Sequence, residues 1–392
     1  MKYLIISPLP IPSDSNYKSR IHFISRIFKQ NKDSVLIIST NFNNGLCTKF
    51  YDEVEYKSVS TINRNTNFIV RQIQKMIIIL NLFQKIILNK YKFDVLIVYP
   101  SLDFRVFIIL FAKLKNKKVV LEINEFPYVN SKYKIIAQVK RALQFKLVWK
   151  LIDGFIVISE ELKKIVFKNK NINAKVIKIP ILSETKDFSH INLQNPETNH
   201  YIFHAGSLYE EKDGILGIIE AFGNYSNNNK NSNLSLIFTG SIKQSNVSLQ
   251  IVQLINKLNI GHKVKFLGFI SSNLLDSYYK NASFIIINKN KTIQNKYCFA
   301  TKIAESLSYQ IPIITTNFGE SMQYLSNEEN AFIANSDDTK DLEKTIEKVI
   351  NYDPNKLIQI AKNGSLLFEK HFNFKVYDKV LNEFIKNIEN QV

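Results

Sequence analysis

Short apolar runs alternate with longer stretches of helical apolar spacing along the first half of the chain. Runs at residues 3–7, 34–39 and 95–99 are typical of buried strands, and the pattern at 19–30 is typical of an amphipathic helix. The same patterns recur as strands at 119–123, 155–159 and 176–179, and as helices at 68–89, 104–115 and 132–150. Such alternation predicts a parallel sheet with helices on both faces.

The alternation restarts after a polar stretch at residues 182–200, which lacks periodicity and is the best linker candidate. The predicted strands are 201–205, 234–239, 264–268, 283–287 and 311–315. The predicted helices are 214–225, 247–258, 272–281, 301–309, 338–351, 354–372 and 375–389. We therefore predict an α/β protein with two doubly wound, Rossmann-like domains that face each other across a cleft. They comprise residues 1–190 and 191–372, and residues 373–392 form a C-terminal helix that packs back toward the N-terminal domain.

The composition supports this size and class. A chain of 392 residues is long enough for about two domains of ~150 residues, and 45% hydrophobic residues are ordinary for a globular protein. Only Cys47 and Cys298 are present, so no disulfide framework is predicted and a reducing compartment is expected. The N-terminus predicts a strand and not a signal peptide, and no apolar run approaches the ~18 residues of a membrane span. We expect a cytoplasmic protein, soluble or peripheral on the inner face of the membrane.

Positive charge is concentrated in the first half of the chain. Residues 1–200 carry 32 basic and 15 acidic side chains, whereas residues 201–392 carry 20 and 19. The helical patterns at 68–90 and 132–150 interleave this basic charge with apolar residues, which suits either an anionic membrane surface or a core-facing helix with a solvated lysine face. The charge also raises nucleic-acid binding as an alternative, but no basic and aromatic recognition module appears, so we expect no nucleic acid.

Polar groups follow the predicted strands of the second half. Nine of the 11 glycines lie beyond residue 200, and several of them end an apolar run. In the segment 297–320, Lys302, Glu305 and Glu320 lie near the ends of a predicted helix and strand. Because strand carboxyl ends and helix amino ends bind phosphorylated ligands in α/β proteins, this half is predicted to hold the ligand.

Four segments of the second half resemble, in order, the retaining GT-B glycosyltransferases of the large family often called family 4. They are HAGSLYEEKDG at 204–214, LIFTG at 236–240, VKFLG at 264–268, and TKIAE at 301–305 followed by IPII at 311–314. The resemblance covers residues 201–372 and is looser in the first half, where that family places its variable acceptor site. It implies the GT-B architecture and a nucleoside diphosphate-sugar donor.

The resemblance also implies roles for individual residues of the donor site. Lys212 would neutralise the diphosphate as the sugar leaves, which makes it the first catalytic candidate. Gly206 and Ser207 would bring backbone N–H groups to the phosphates, although the family usually has an arginine where Ser207 stands. Gly268 follows the strand whose backbone edge contacts the nucleobase.

The helix at 301–309 would bind the rest of the donor. Glu305 matches a glutamate that accepts hydrogen bonds from the ribose hydroxyls, and Thr301 and Lys302 match the pair found before this helix in some branches. A first glutamate of the family is absent, because Tyr297 occupies its position. Glu320 is a candidate for contact with a sugar hydroxyl.

The acceptor side is predicted in the first half. Asn16, Arg20 and Asn124 are candidates there, and Glu125 is the second catalytic candidate because it follows a predicted strand at its carboxyl end. No histidine lies between residues 23 and 189, so the family's histidine role cannot be assigned. Retention does not require a base, since the departing phosphate oxygen can take the acceptor proton.

These observations predict a retaining, nucleotide-sugar-dependent hexosyltransferase that acts on a glycan or a lipid-linked acceptor in surface polysaccharide biosynthesis. No cofactor is expected, and no metal, because no cluster has metal-ligand spacing. Three alternatives stay open: a nucleotide-sugar epimerase, a nucleotide-sugar hydrolase on the same fold, and a non-catalytic GT-B partner protein.

Overall fold

The computed structural model describes residues 1–12, 19–40, 47–59, 67–88, 90–99, 105–129, 134–186 and 200–390. These residues form two compact units. Unit 1 contains the described residues up to Pro180 and those from Tyr377 onward, and unit 2 contains those from Ile181 to Val376. Each unit is built on a parallel sheet, as the sequence predicts.

Unit 1 is organised around eight strands in the order β3-β4-β2-β1-β5-β6-β7-β8. All neighbours are parallel except β3 and β4, which form a hairpin that the apolar pattern did not predict because β3 is mostly exposed. The strands are β1 Lys2–Ser7, β2 Ser34–Ser39, β3 Thr48–Tyr51, β4 Val54–Ser58, β5 Val95–Val98, β6 Lys118–Ile123, β7 Gly154–Val157 and β8 Lys175–Lys178.

The helices that follow β4, β5 and β6 share one face of this sheet. Parallel crossovers are right-handed, so helices on connections that run toward β8 lie opposite the helix that joins β1 to β2. The helices of this part are α1 Arg20–Gln30, α2 Phe68–Ile87, α3 Arg105–Leu114, α4 Lys134–Leu143 and α5 Glu160–Asn169.

The predicted single helix at 132–150 is wrong in its second part. After α4 the chain continues as a π-helical turn, Gln144–Val148, and a 3₁₀ turn, Trp149–Leu151. The change of pitch rotates Trp149 into the core, where its ring lies 5.4 Å from that of Phe155. Among the described residues, none of the helices has the length and hydropathy needed to cross a bilayer.

Unit 2 has six parallel strands in the order β11-β10-β9-β12-β13-β14. Chain order reverses direction between β9 and β12, which makes the carboxyl ends of these two strands the topological switch point. The strands are β9 Tyr201–His204, β10 Ser235–Phe238, β11 Val264–Phe266, β12 Phe284–Ile287, β13 Ile313–Thr316 and β14 Phe332–Ala334.

The helices of unit 2 cover a core of branched and aromatic side chains, among them Ile202, Phe222, Phe238, Ile286 and Ile314. The apolar pattern predicted most of these helices but missed the short α6 and α10. They are α6 Glu210–Asp213, α7 Ile215–Asn228, α8 Ser248–Leu258, α9 Ser272–Lys280, α10 Ile293–Tyr297, α11 Thr301–Ser308, α12 Thr339–Ile350 and α13 Pro354–His371.

The last helix, α14 Asp378–Glu389, belongs to unit 1, where it contacts β8 and α1. Its apolar face includes Phe384 and Ile388, which lie against Gly154 of β7. A Cβ atom at position 154 would come within 2.3 Å of the Ile388 Cδ1 atom and 2.9 Å of the Phe384 ring. The absent side chain therefore sets how closely this helix approaches the sheet.

Replacing Gly154 by alanine is expected to lower the Tm of unit 1 by several degrees, because overpacking a core typically costs about 1–3 kcal/mol. Thermal unfolding followed by circular dichroism measures the change. Gly261→Ala is the matched control, since its added Cβ would have its nearest neighbour 3.8 Å away. Equal Tm values for the two variants would contradict the close packing of α14 on β7.

Candidate functional site

The chain turns sharply where β9 ends at the switch point. Gly206 has a φ of 136°, which favours glycine, and its N–H donates to the Thr239 hydroxyl at 2.7 Å. A Cβ at position 206 would lie 2.2 Å from the Lys302 Cε atom and 2.7 Å from its Nζ atom. Glycine is thus required here both by backbone conformation and by the lysine that lies against it.

Lys302 is the second residue of α11, and its ammonium group is buried beside the Gly206 turn. Its Nζ atom donates to the Asp213 Oδ1 atom at 2.5 Å. Asp213 ends the short helix α6, and Gly214 follows it in the left-handed conformation with a φ of 53°. This turn places the Asp213 carboxylate, which is 0% exposed, inside unit 2.

A second buried lysine reaches the same carboxylate. Lys289, which follows β12, donates from Nζ to Asp213 Oδ1 at 3.0 Å and to the Lys212 carbonyl at 2.7 Å. The Ser207 hydroxyl donates to the other carboxylate oxygen of Asp213 at 3.3 Å. One carboxylate therefore holds two ammonium groups, and the cluster keeps a net positive charge.

Burial and charge act against each other at this cluster. Burial alone would raise the pKa of Asp213, but Lys302 and Lys289 outweigh it and hold that pKa well below its usual range. Burial lowers the pKa of Lys302 to about 8, and the attraction of Asp213 only partly opposes this. Lys289 and Lys212 lower the pKa of Lys302 further by repulsion.

His204, the last residue of β9, completes the cluster as a neutral group. Its Nδ1 atom lies 2.9 Å from the Ile286 carbonyl oxygen, so Nδ1 carries the proton and donates it. Nε2 then accepts from the Lys302 ammonium group at 3.5 Å. Burial, followed by repulsion from Lys302, lowers the pKa of His204 to about 3.

The residues predicted for the donor site lie around this cluster at the carboxyl end of the sheet. Lys212 is half-buried on α6, next to Asp213. Glu305 lies one turn after Lys302 on α11, is buried, and accepts from the Tyr279 hydroxyl at 3.0 Å. Thr301 is exposed where α11 begins. Lys212 is thus linked to Glu305 through its chain neighbour Asp213, the contact of Asp213 with Lys302 and one turn of α11.

Two further predicted residues lie at the ends of other strands in this sheet. Gly268 follows β11 with a φ of 69°, and its carbonyl accepts from the Gly240 N–H at 2.8 Å. Glu320 is buried in a 3₁₀ turn after β13 and accepts from the Gln323 amide at 3.3 Å.

Arg20, which the sequence predicts as an acceptor-side residue, is buried in unit 1. Arg20 is only 5% exposed, and its guanidinium group donates to Asn124 Oδ1 at 2.8 Å and to the carbonyls of Pro180 and Ile179 at 3.0 and 2.6 Å. It also pairs with the buried Glu122 carboxylate. Arg20 therefore joins the end of β6 to the segment that follows β8 within unit 1.

Asn124 and Glu125 follow β6 at the carboxyl end of the unit 1 sheet. The Asn124 amide lies 3.5 Å from the Tyr99 hydroxyl, which it contacts as a donor. Glu125 is exposed beside it. Asn16 lies outside the described residues, so its predicted role is not addressed by the structure.

Sequence reasoning missed three members of the cluster: His204, Asp213 and Lys289. Asp213 stands between Lys212 and Gly214 in the motif, and His204 begins that motif, so both were visible as neighbours of assigned residues. Lys289 gave no signal, because one lysine after an apolar strand is unremarkable in a chain with 52 basic residues.

Comparison with known proteins adds a family to this geometry. Residues 185–365 match the family model described as glycosyl transferases group 1. This part of the chain is therefore similar to the glycosyl transferases group 1 family. The matched segment includes β9 to β14 and every residue of the cluster, and the prediction of a glycosyltransferase is confirmed at this level. No curated protein matches the sequence significantly.

Solved structures with the same fold are distant in sequence. Sucrose-phosphate synthase from Thermosynechococcus elongatus is similar with a TM-score of 0.76 and 13% identity over 100% of both chains. HepE from Anabaena, in complex with UDP and glucose, has a TM-score of 0.71 and 14% sequence identity over 98% of this chain and 99% of HepE. A glycosyltransferase from Rickettsia africae has a TM-score of 0.69 and 16% sequence identity over 100% of both chains. These similarities confirm the predicted GT-B fold class.

The neutral, buried His204 predicts how the stability of unit 2 depends on pH. Its folded pKa of about 3 lies below the ~6.5 of an unfolded histidine, so the unfolded state binds a proton first as the pH falls. The stabilisation is complete above pH ~6.5 and is lost progressively toward pH ~3, with a loss of about 2 kcal/mol by pH 5.

Urea unfolding of the His204→Gln variant should therefore show a weaker loss of stability between pH ~7 and pH ~5 than the wild type. His262→Gln is the control, because His262 is exposed and should leave the wild-type pH dependence in place. An unchanged pH dependence in His204→Gln would show that His204 is not held neutral.

Proposed function

We propose that this protein transfers a hexosyl group from a nucleoside diphosphate-sugar to a glycan or lipid-linked acceptor with retention of anomeric configuration, as family 4 enzymes do. The observation that carries the proposal is the buried, net positive cluster of Lys302, Lys289 and Asp213 against the Gly206 turn. A diphosphate is the anion that suits a glycine turn and two to three ammonium groups at the switch point of a doubly wound sheet.

Each donor-site residue then has a chemical task. Lys212 and Lys302 stabilise the negative charge that grows on the diphosphate as the glycosidic bond breaks, which lowers the barrier more than ground-state binding does. Glu305, one turn further along α11, accepts from the ribose hydroxyls. Gly268 leaves the backbone beyond β11 accessible to the base, and Glu320 contacts a sugar hydroxyl. No metal takes part in this proposal.

A uridine nucleotide is the first donor to test. HepE, which shares the fold, has been crystallised with UDP-glucose, and another neighbour is described as a UDP-forming trehalose-phosphate synthase. The names of the sucrose- and trehalose-phosphate synthases make soluble sugar phosphates the competing acceptor class. Glu125 and Asn124 are the acceptor-side residues that we propose in unit 1, with Glu125 as a catalytic carboxylate.

Replacing Lys212 by alanine should lower kcat/KM with UDP-glucose by about 10²–10³-fold, mainly through kcat, because the lost charge acts on the transition state. Release of UDP and formation of glycosylated acceptor are both measured, with lipid-linked sugar and sugar phosphate as acceptors. Lys257→Ala, an exposed lysine on α8, is the control and should retain activity.

Other outcomes identify the alternative functions. UDP release without a glycosylated product would indicate a hydrolase, and an isomerised sugar would indicate an epimerase. Binding of UDP-sugars, GDP-sugars and dTDP-sugars without any turnover would indicate a non-catalytic partner protein. Equal activity of the Lys212 and Lys257 variants would contradict the donor site itself.

We also propose that unit 1 contacts an anionic membrane, which places a lipid-linked acceptor within reach and suits surface polysaccharide assembly. The observation is a basic helical face, formed by α2, α3, α4 and the turns up to Leu151. These segments contain ten lysines and arginines and no acidic residue. They lie on one side of the sheet, opposite α1 and α14.

The basic helical face also exposes large apolar side chains. Examples are Met76, Leu80, Phe107, Ile135 and Leu147, which are 57%, 55%, 62%, 77% and 62% exposed. Apolar side chains flanked by lysines match the bilayer interface, where the chains enter the acyl boundary and the ammonium groups meet lipid phosphates. Self-association through this face is opposed by the excess of positive charge on its helices.

Changing Lys134, Lys140 and Lys146 together to glutamate should weaken binding to vesicles that contain anionic lipid at least tenfold, since each basic residue contributes about 1 kcal/mol near such a surface. These three lysines are exposed. Vesicle flotation measures the bound fraction, with neutral phosphatidylcholine vesicles for comparison.

The matched control changes Lys340, Lys344 and Lys362 to glutamate. These lysines are exposed on α12 and α13 of unit 2. It makes the same change in net charge and should leave vesicle binding intact. Equal losses in both triple variants, or no binding by the wild type, would contradict membrane contact through the basic helical face.

A further inference from the structure

We propose that Asp213 and His204 are positioning residues for Lys302: they engage two of its three ammonium N–H groups and direct the third at the donor diphosphate. This inference rests on the proposed function. It adds two residues that hold Lys302 in place and a separate structural role for Lys289. The geometry begins with the ammonium group itself, which has three donors and no acceptor.

Two of those donors have identified partners. The Asp213 Oδ1 atom lies 2.5 Å and the His204 Nε2 atom 3.5 Å from Lys302 Nζ. His204 can accept because its Nδ1 proton is committed to the Ile286 carbonyl. The Lys302 side chain runs directly under Gly206, where a Cβ would lie 2.7 Å from Nζ. The ammonium group is therefore fixed at the phosphate-binding turn.

Lys289 connects this arrangement to the other candidate cation. Its Nζ atom bridges the Asp213 carboxylate and the Lys212 carbonyl, at 3.0 and 2.7 Å. Asp213 thus anchors Lys302 through its side chain and the Lys212 segment through Lys289. One buried carboxylate sets the position of both lysines relative to the Gly206 turn.

Charge gives Asp213 a second role. Lys289, Lys212 and Lys302 repel one another, and His204 adds no positive charge because it stays neutral. Asp213 is the acidic group that pairs with Lys302 and Lys289 among the described residues. Without it, deprotonation would relieve the repulsion, and a neutral Lys302 could not hold an anion.

The protonation state of Lys302 can be tested by varying the pH, because its pKa of about 8 lies in a pH range where binding can be measured. A diphosphate binds the protonated form, so affinity is constant below pH ~8 and falls above it, and binding at higher pH takes up a proton. A purely structural ion pair would leave nucleotide affinity independent of pH in this range.

The experiment is isothermal titration calorimetry of the full chain with UDP, in paired buffers of different ionisation enthalpy. It covers pH ~7 to ~9.5, where the UDP phosphates are already fully ionised. The wild type should lose affinity about tenfold between pH ~7 and pH ~9 and take up a proton above pH ~8. Uridine, which has the same base but no phosphate, reports any pH dependence that comes from ionisation of the base, and it should lack the fall in affinity centred near pH ~8.

Three variants assign the effect to its residues. Lys302→Arg keeps the charge at all these pH values and should abolish the fall in affinity. Asp213→Asn removes the counter-charge and should lower the midpoint to pH ~7 or below, so that its affinity for UDP already falls from the lowest pH measured. Lys212→Arg is the matched control and should retain the wild-type midpoint, whatever its effect on affinity.

The outcomes separate this inference from the proposed function. A wild type that binds UDP with a flat pH profile, or that shares its midpoint with Asp213→Asn, overturns the positioning role alone. A pH-dependent Lys302→Arg variant overturns it as well, and this variant decides the question if Asp213→Asn does not fold. A wild type that binds none of UDP, GDP and dTDP overturns the proposed function.

Discussion

The carboxylate of Asp213, buried between the ammonium groups of Lys302 and Lys289, is the interaction on which the charged cluster of unit 2 depends. Isolated charges are costly to bury, so two lysines inside unit 2 require a counter-charge at short range. The contacts of 2.5 and 3.0 Å supply it. They also join three parts of the domain, because Asp213 ends α6, Lys289 follows β12 and Lys302 begins α11. The positive potential at the switch point is therefore a product of packing as well as of composition.

Glycines let the backbone approach this cluster closely. Gly206 admits Lys302, and a Cβ at Gly240 would lie 2.4 Å from the Gly206 carbonyl oxygen. Gly268 in turn accepts from the Gly240 N–H. Turns after three neighbouring strands thus rest on one another with no side chains between them. This explains why a chain with few glycines keeps them at these strand ends.

The two units use their basic residues in different ways. In unit 1 exposed lysines such as Lys134 and Lys146 flank exposed apolar side chains such as Ile135 and Leu147, and the sequences of α2, α3 and α4 contain no acidic residue. In unit 2 total charge is nearly balanced, yet Lys289 and Lys302 are buried where an anion can be held. The net charge of each unit reveals the excess of basic residues in unit 1, but it gives no sign of the buried lysines in unit 2. The overall charge of +18 is for that reason a poor guide to the donor site.

The sequence by itself determined the two parallel-sheet domains, because short apolar runs such as 95–99 and 311–315 are typical of buried strands. It also predicted the glycine turn, Lys212, Lys302 and Glu305 as donor-site candidates, because they lie in contiguous motifs. It failed where a side chain's role depends on distant partners: Lys289 meets Asp213 across 76 residues, and Lys302 meets His204 across 98. Arg20, which the sequence predicts as an acceptor-side residue, is buried and paired inside unit 1, and β3 of the β3–β4 hairpin is too exposed for an apolar run to mark it. Local spacing encodes strands, helices and turns, whereas only tertiary packing decides which charges are removed from water and which of them pair.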